Sequence, residues 1–253
     1  MKPNTVILGF KTNWQESINK DDTEAGTINK NYTVGENFEQ TKTAENFVGV
    51  VQDAFDQQLG VVIYRSNSSD DDNEKQTSRI LNEKREGTID VWWLFDDGGL
   101  TLLIPYLLSL NRYWKKCKLR VFTPKSTQKE SEISSSKIRM ANLLKMFRID
   151  VSCVVEFDGI SERPSDENIS EFKHLADQSV DGEYKKKTLR HIRLGELLKD
   201  HSKDASLIVM TLPVPSEAVE PSMYMSWLEM MTKDLPPIML IRGNHTNVLT
   251  FYT

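Results

Sequence analysis

The chain has 253 residues, of which 38% are hydrophobic and 27% charged, enough to bury the core of one large α/β domain or two small ones. Its formal net charge of −5 argues against a dedicated nucleic-acid binder, which would carry a basic surplus. The longest apolar run, residues 98–110, is shorter than the roughly 20 residues of a transmembrane helix.

Short apolar runs alternate with amphipathic stretches, which predicts a doubly wound α/β fold with a mostly parallel sheet. Residues 6–10 and 61–64 are predicted strands. The apolar stripe between them predicts a helix that ends near Gln58, with Gly60 as the residue that closes it. The polar stretches at about 11–41 and 66–87 are predicted to be flexible inserts.

The strongest predicted strand is residues 89–95, which contains Trp92 and Trp93. Consecutive residues of a strand point to opposite faces, so both faces of this strand must be covered, as in the middle of a sheet. The helix predicted after it, from Leu100 to Trp114, is apolar nearly all round. Such a helix is expected to be buried on several sides or to lie at an interface.

The second half continues the alternation, with predicted strands at 119–122, 151–157 and 207–210. Four helices are predicted: one that begins near Ser134, one at 168–177, one that ends at about Ser202 and one at 223–235. A third flexible insert is predicted at about 158–188. Two further apolar runs, 238–241 and 248–252, flank five polar residues. They predict an antiparallel hairpin at the C-terminus.

The turn Asp96-Asp97-Gly98-Gly99 lies where a doubly wound fold binds ligands, between a strand end and a helix start. Two carboxylates would repel a phosphate, however, and the spacing matches no phosphate-binding motif. The alternative, which the sequence favours, is that one Asp caps the helix while the glycines permit a tight turn.

No constellation of catalytic or metal-binding residues is found. The four histidines, His174, His191, His201 and His245, form no metal-binding spacing. The two cysteines, Cys117 and Cys153, lack a C-x-x-C spacing and are predicted to be buried free thiols in a reducing compartment. We therefore predict no catalytic, cofactor-binding or metal residues, no cofactor and no enzymatic activity, although a composite active site assembled by folding stays open.

Two surface features suggest partners. Lys185-Lys186-Lys187 with Arg190 and Arg193 forms a basic helix start, which is either a solvated face or a contact for anionic lipids or an acidic partner. Serines in flexible or helix-start positions are candidate sites for phosphate addition: Ser66, Ser68, Ser69, Ser134, Ser135 and Ser136.

The run Ile89-Asp90-Val91-Trp92-Trp93-Leu94-Phe95-Asp96-Asp97-Gly98-Gly99-Leu100-Thr101-Leu102-Leu103-Ile104-Pro105-Tyr106 strongly resembles cation-chloride cotransporters. The resemblance continues in six further blocks: Pro3-Asn4-Thr5-Val6-Ile7-Leu8-Gly9-Phe10, Phe147-Arg148-Ile149-Asp150, Ile192-Arg193-Leu194-Gly195-Glu196-Leu197-Leu198, Asp234-Leu235-Pro236-Pro237-Ile238, Ile241-Arg242-Gly243-Asn244-His245 and Leu249-Thr250-Phe251-Tyr252-Thr253. These blocks cover nearly every predicted strand and helix. At two of these places the residues, Leu-Phe-Asp-Asp-Gly-Gly and Arg-Gly-Asn-His, are similar to those of the sodium-dependent branch of the family.

The resemblance implies that residues 1–253 are the latter half of the cytosolic C-terminal regulatory domain, with a sheet similar to that of universal stress proteins. The family's ion-binding residues lie in a membrane part outside this chain. The implied role is a domain that faces the cytoplasm at the cell membrane, dimerises and regulates an electroneutral sodium-(potassium-)chloride symporter in cell volume regulation. The implied partners are a second copy, the membrane domain and regulatory kinases. An alternative is a nucleotide-sensing module of the stress-protein type, with ATP near Asp96.

Overall fold

The structure is a computed structural model and describes residues 3–15, 43–66, 83–96, 98–125, 136–176, 182–216, 218–244, 246 and 248–249. Within these ranges seven strands form one sheet: β1 Thr5–Gly9, β2 Gly60–Arg65, β3 Glu86–Trp92, β4 Lys116–Pro124, β5 Cys153–Phe157, β6 Leu207–Thr211 and β7 Ile238–Arg242. The helices are α1 Thr43–Asp56, α2 Leu100–Leu110, α3 Ser136–Met146, α4 Asp166–Ala176, α5 Lys185–Ser202 and α6 Pro221–Thr232.

The strand order is β1-β2-β7-β6-β3-β4-β5, and helices cover both faces of the sheet. One core cluster joins the sheet to α1, α4, α5 and α6, and the other joins it to α2 and α3. All neighbouring strands are parallel except β2 and β7. The predicted doubly wound, mostly parallel α/β fold is therefore confirmed.

Trp92 and Trp93 confirm the central position of β3. Trp92 is fully buried in the first cluster, where it stacks on Phe122 with ring centroids 4.7 Å apart and donates a 3.0 Å hydrogen bond to Ser202. Trp93 is buried in the second cluster, on the opposite face. Strand β3 lies between β4 and β6, so both of its edges are paired as well.

The antiparallel pair is not the predicted C-terminal hairpin. Strand β7 pairs antiparallel with β2 on one edge and parallel with β6 on the other. Both of its edges are thus occupied, and the segment at Val248 cannot pair with it in the sheet. Instead, the Val248 N–H donates a 2.9 Å hydrogen bond to the Gly98 carbonyl.

The end of α1 also differs from the prediction. The helix ends at Asp56, and Gln58 rather than Gly60 takes the left-handed conformation, with a φ of 58°. The Leu59 N–H donates to the Ala54 carbonyl and the Gln58 N–H to the Phe55 carbonyl, which is a Schellman cap. Gly60 instead begins β2, where an added Cβ would lie 3.0 Å from the side chain of Leu100.

The predicted inserts at 11–41 and 66–87 lie mostly outside the described residues. Part of the third, at 158–188, is built into the core, because α4 buries Phe172 completely and α5 already begins at Lys185. The short helix predicted at 168–177 is confirmed, since α4 spans Asp166–Ala176.

Two βαβ units face each other across the antiparallel β2–β7 pair. One consists of β1, α1 and β2, the other of β6, α6 and β7, and their helices contact each other on the same face. Ile7 pairs with Val62 in the first unit, as Val209 pairs with Met239 in the second. Val209 is fully buried, whereas Ile7, on the edge strand β1, is 72% exposed.

Candidate functional site

The turn after β3 lies at the point where a doubly wound fold most often binds ligands. Strands β3 and β6 are parallel neighbours, and the helices that follow them, α2 and α6, lie on opposite faces of the sheet. In doubly wound folds, connections that diverge in this way form a ligand-binding crevice at the carboxyl ends of the strands. The position expected from the sequence is therefore confirmed for Asp96, Gly98 and Gly99, while Asp97 lies outside the described residues.

The geometry of this turn differs from the predicted Asp cap. Asp96 accepts a 3.0 Å hydrogen bond from the Gly98 N–H, within the turn itself. The capping residue of α2 is Gly99, which has no side chain to accept from the helix. The tight turn is confirmed, because Gly98 and Gly99 have φ values of 85° and 91°, which glycine adopts without strain.

An apolar side chain covers the start of α2. The Leu249 side chain lies so close to Gly99 that an added Cβ would come within 2.6 Å of it. Together with the Val248 hydrogen bond to Gly98, this contact closes the turn from outside. A phosphate at the helix start would meet the Leu249 side chain and the Asp96 carboxylate.

A cavity of about 450 Å³ opens at the carboxyl end of β7. The Arg242 guanidinium forms one wall and lies 4.1 Å from the centroid of the Phe95 ring. Asn244 is held by its own bonds, donating to the Gln58 carbonyl at 2.8 Å and accepting from the Thr246 N–H at 3.1 Å. No local sequence signal marks this cavity, because its walls come from α1 and from the segments after β6 and β7, which meet only in the fold.

The histidines occupy separate places. His191 is buried against Trp227 with ring centroids 4.9 Å apart, and burial, reinforced by the positive charges of Lys187 and Arg190, lowers its pKa to about 3. His201 lies exposed at the end of α5, His174 lies exposed in the last turn of α4, and His245 is outside the described residues. In the described ranges, no three His, Cys, Asp or Glu side chains are placed to hold a metal ion.

Both cysteines are free thiols, as predicted, but only Cys117 is buried. Cys117 is a buried free thiol, and burial raises its pKa. Cys153 is a free thiol but exposed, contrary to the prediction, because it begins β5, the edge strand of the sheet. An edge strand has a neighbour on one side only, so its side chains are less covered.

A buried carboxylate that the sequence analysis did not single out lies in the middle of β3. Asp90 has no exposed surface and accepts from both Nε and a terminal nitrogen of Arg120 on the neighbouring strand. This arrangement also raises the pKa of Arg120. Both carboxylate oxygens are engaged, so the pair ties β3 to β4 rather than offering a reactive group.

The basic residues at the start of α5 divide into two groups. Lys185, Lys186 and Arg190 are exposed, and Lys187 lies over the Trp227 ring with its ammonium 4.8 Å from the centroid. Arg193 belongs elsewhere, because it pairs with Glu196 at 2.8 Å and donates to the Gly159 carbonyl. Of the six serines singled out, Ser66 and Ser136 fall within the described residues.

Among the described helices, none combines the length and the apolar character that crossing a bilayer requires. The family model described as solute carrier family 12 matches residues 67–253. Solute carrier family 12 member 2 of Squalus acanthias is 32% identical over 365 residues, covering 100% of this chain and 28% of that protein. The human member 2 is 33% identical with the same shares, and the human member 1 is 31% identical over 100% of this chain and 30% of its own length.

The chain thus spans less than a third of the length of the curated relatives it matches. A solved structure, the crystal structure of the cytoplasmic domain of a prokaryotic cation chloride cotransporter, covers 98% of this chain and 67% of that one. It is 14% identical, with a TM-score of 0.49.

Proposed function

Because this chain belongs to solute carrier family 12, we propose that it is a cytosolic regulatory and dimerisation domain of an electroneutral sodium-(potassium-)chloride symporter. The observation that carries the proposal is the match of the whole chain to less than a third of each relative's length. A domain that occupies such a share can regulate a transporter without containing its ion pathway. In the full-length protein it faces the cytoplasm at the cell membrane and contributes to cell volume regulation.

The surface of α2 supports a role in assembly. Its sequence has no charged residue, and Leu107 and Leu110 are 55% and 61% exposed. Exposed leucines three positions apart lie on one side of a helix and offer an apolar contact surface. We assign this surface to contacts with a second copy or with the membrane domain, while regulatory kinases act on other segments of the chain.

The test uses the full-length polypeptide with Leu107→Glu and Leu110→Glu combined. We expect less cross-linked dimer and less chloride-dependent sodium uptake, with unchanged protein synthesis. Ile138→Glu is the matched control, since Ile138 is a 43% exposed apolar residue on α3 rather than α2, and it should leave both readouts unchanged. Normal assembly, surface delivery and ion flux after removal of the whole domain would exclude the proposal.

The alternative of a nucleotide-sensing module has the position of the turn after β3 in its favour, and the chemistry of the turn against it. Asp96 adds negative charge there, and Leu249 lies over Gly99. We predict that titration of the chain with magnesium and ATP at millimolar concentration releases no binding heat. A saturating heat signal would restore this alternative, and Asp96→Asn would then test whether the turn is the site.

A further inference from the structure

The cavity at the carboxyl end of β7 combines one positive charge with apolar walls. Its volume of about 450 Å³ is in the range of pockets that bind small molecules. Phe55, Leu59 and Val214 supply the apolar walls, and Arg242 supplies the charge. Among the described residues that line the cavity, none carries a carboxylate. A ligand that is complementary to this lining is therefore apolar in part and negatively charged.

The rim of the cavity is held by hydrogen bonds between segments that are far apart in the sequence. Asn244 donates to the Gln58 carbonyl at 2.8 Å, which joins the segment after β7 to the end of α1. Its side-chain oxygen accepts from the Thr246 N–H at 3.1 Å, so both ends of this amide are engaged. These bonds fix the shape of the rim, which lowers the cost of ordering the site when a ligand binds.

The Arg242 side chain is oriented by Phe95, whose ring centroid lies 4.1 Å from the guanidinium carbon. Stacking engages the flat face of a guanidinium, whereas a carboxylate binds to the N–H groups at its edge, so the two contacts are compatible. Phe95 and Val214 are 38% and 40% exposed. Partly exposed apolar side chains beside the cation and in the cavity wall offer a surface that an apolar group can cover.

We propose that this cavity binds a small organic carboxylate with an apolar body. The carboxylate accepts hydrogen bonds from Arg242, and the apolar body packs against Phe55, Leu59 and Val214. A single negative charge suits the cavity better than phosphate does, because removing a second charge from water among apolar walls is costly without a second cation. Chloride has no apolar surface to bury and gains nothing from these walls.

The test is a titration of the 253-residue chain with 4-phenylbutyrate, followed by NMR of the backbone amides at constant pH and ionic strength. We expect saturating shifts at Leu59, Gly243 and Asn244, with a Kd of about 1 mM. The compound 4-phenylbutanamide lacks the charge and butyrate lacks the ring, so each should bind about tenfold more weakly. Inorganic phosphate should cause no saturating shifts at these amides.

Two variants remove the charge complementarity in different ways. Arg242→Gln deletes the cation and should weaken the binding of 4-phenylbutyrate about tenfold. Val214→Glu adds a carboxylate at an exposed position of the wall, outside β7, and should weaken binding by a similar factor. Arg112→Gln is the matched control, since Arg112 also stacks on an aromatic ring, that of Tyr113 at 4.4 Å, but does not line the cavity. It should bind like the parent chain.

The amide spectrum of each variant shows whether it is folded, and Val214→Glu decides the test if Arg242→Gln does not fold. Equal affinities for 4-phenylbutyrate and its amide, or shifts that do not saturate, would overturn the proposal. Binding by folded Val214→Glu at the parent's affinity would overturn it as well. These measurements are separate from the dimer and ion-uptake readouts of the full-length polypeptide, so either proposal can fail alone.

Discussion

Asp90 has no contact with solvent, although it lies in β3 between the buried apolar residues Ile89 and Val91. Its charge is compatible with the core because Arg120 brings two N–H groups to it from β4 and keeps part of its own side chain exposed. A carboxylate in this setting stabilises the fold only as long as its partner is present.

We predict that Arg120→Ala destabilises the chain by about 3 kcal/mol, because it leaves a buried carboxylate without a counter-charge. Chemical denaturation followed by circular dichroism measures the loss. Arg163→Ala is the matched control, since Arg163 forms an ion pair with Asp166 in which both side chains are largely exposed. The control should leave the denaturation midpoint unchanged. Equal midpoints for the two variants would contradict the assigned role of Arg120.

His191 predicts a specific pH dependence. Its pKa in the folded chain is about 3, below its ordinary value of 6.5, so the unfolded chain binds the proton first. Its contribution to stability is therefore complete above pH 6.5 and is lost as the pH falls toward 3, at up to about 1.4 kcal/mol per pH unit. We expect His191→Gln to flatten the stability–pH curve between pH 6 and 4, and His174→Gln, at an exposed position, to leave it unchanged.

At the scale of elements, α5 and α6 approach each other through Gly195. A Cβ added there would lie 2.3 Å from the Met230 carbonyl oxygen, so α5 would have to move away from α6. We expect Gly195→Ala to lower the free energy of unfolding by about 2–3 kcal/mol. Gly49→Ala is the control within α1, where a new Cβ meets nothing within 4 Å, and should raise it by about 0.5–1 kcal/mol. Thermal unfolding of both variants tests the difference.

The helices and strands could be predicted because their signals are local. The alternation of apolar runs, the pair Trp92 and Trp93 and the turn at Gly98 all act within a few residues of chain. The cap at Gln58 could not be predicted, because Gly60 gave the stronger local signal and Gln58 accepts a conformation unusual for its type. The cover of Gly99 by Leu249 and the cavity beside Arg242 were also out of reach, since they join segments far apart in the sequence.

At the scale of the whole molecule, equivalent positions of the two βαβ units differ in burial. Val209 has helix α2 and strand β3 beside it, whereas the same position in the first unit, Ile7, lies on an edge strand. We predict that Val209→Thr costs about 2 kcal/mol, since it buries a hydroxyl group in an apolar cluster. Ile7→Thr should change stability by less than about 0.5 kcal/mol. Similar losses at both positions, measured by denaturant titration of this chain, would show that Ile7 is covered after all.

The antiparallel pair also has a consequence for how the chain reaches this state. Strand β7 follows all the other described strands in the sequence, yet it holds a place between β2 and β6, and its pairing with β2 spans some 180 residues. Contacts between residues so far apart in the sequence form slowly, because closing the long intervening loop costs entropy before the strand pairing can stabilise the chain. Until β7 is synthesised, the facing edges of β2 and β6 stay unpaired and open to intermolecular association. A ribosome paused shortly before β7 would therefore present a chaperone-dependent, protease-sensitive intermediate rather than a smaller finished domain.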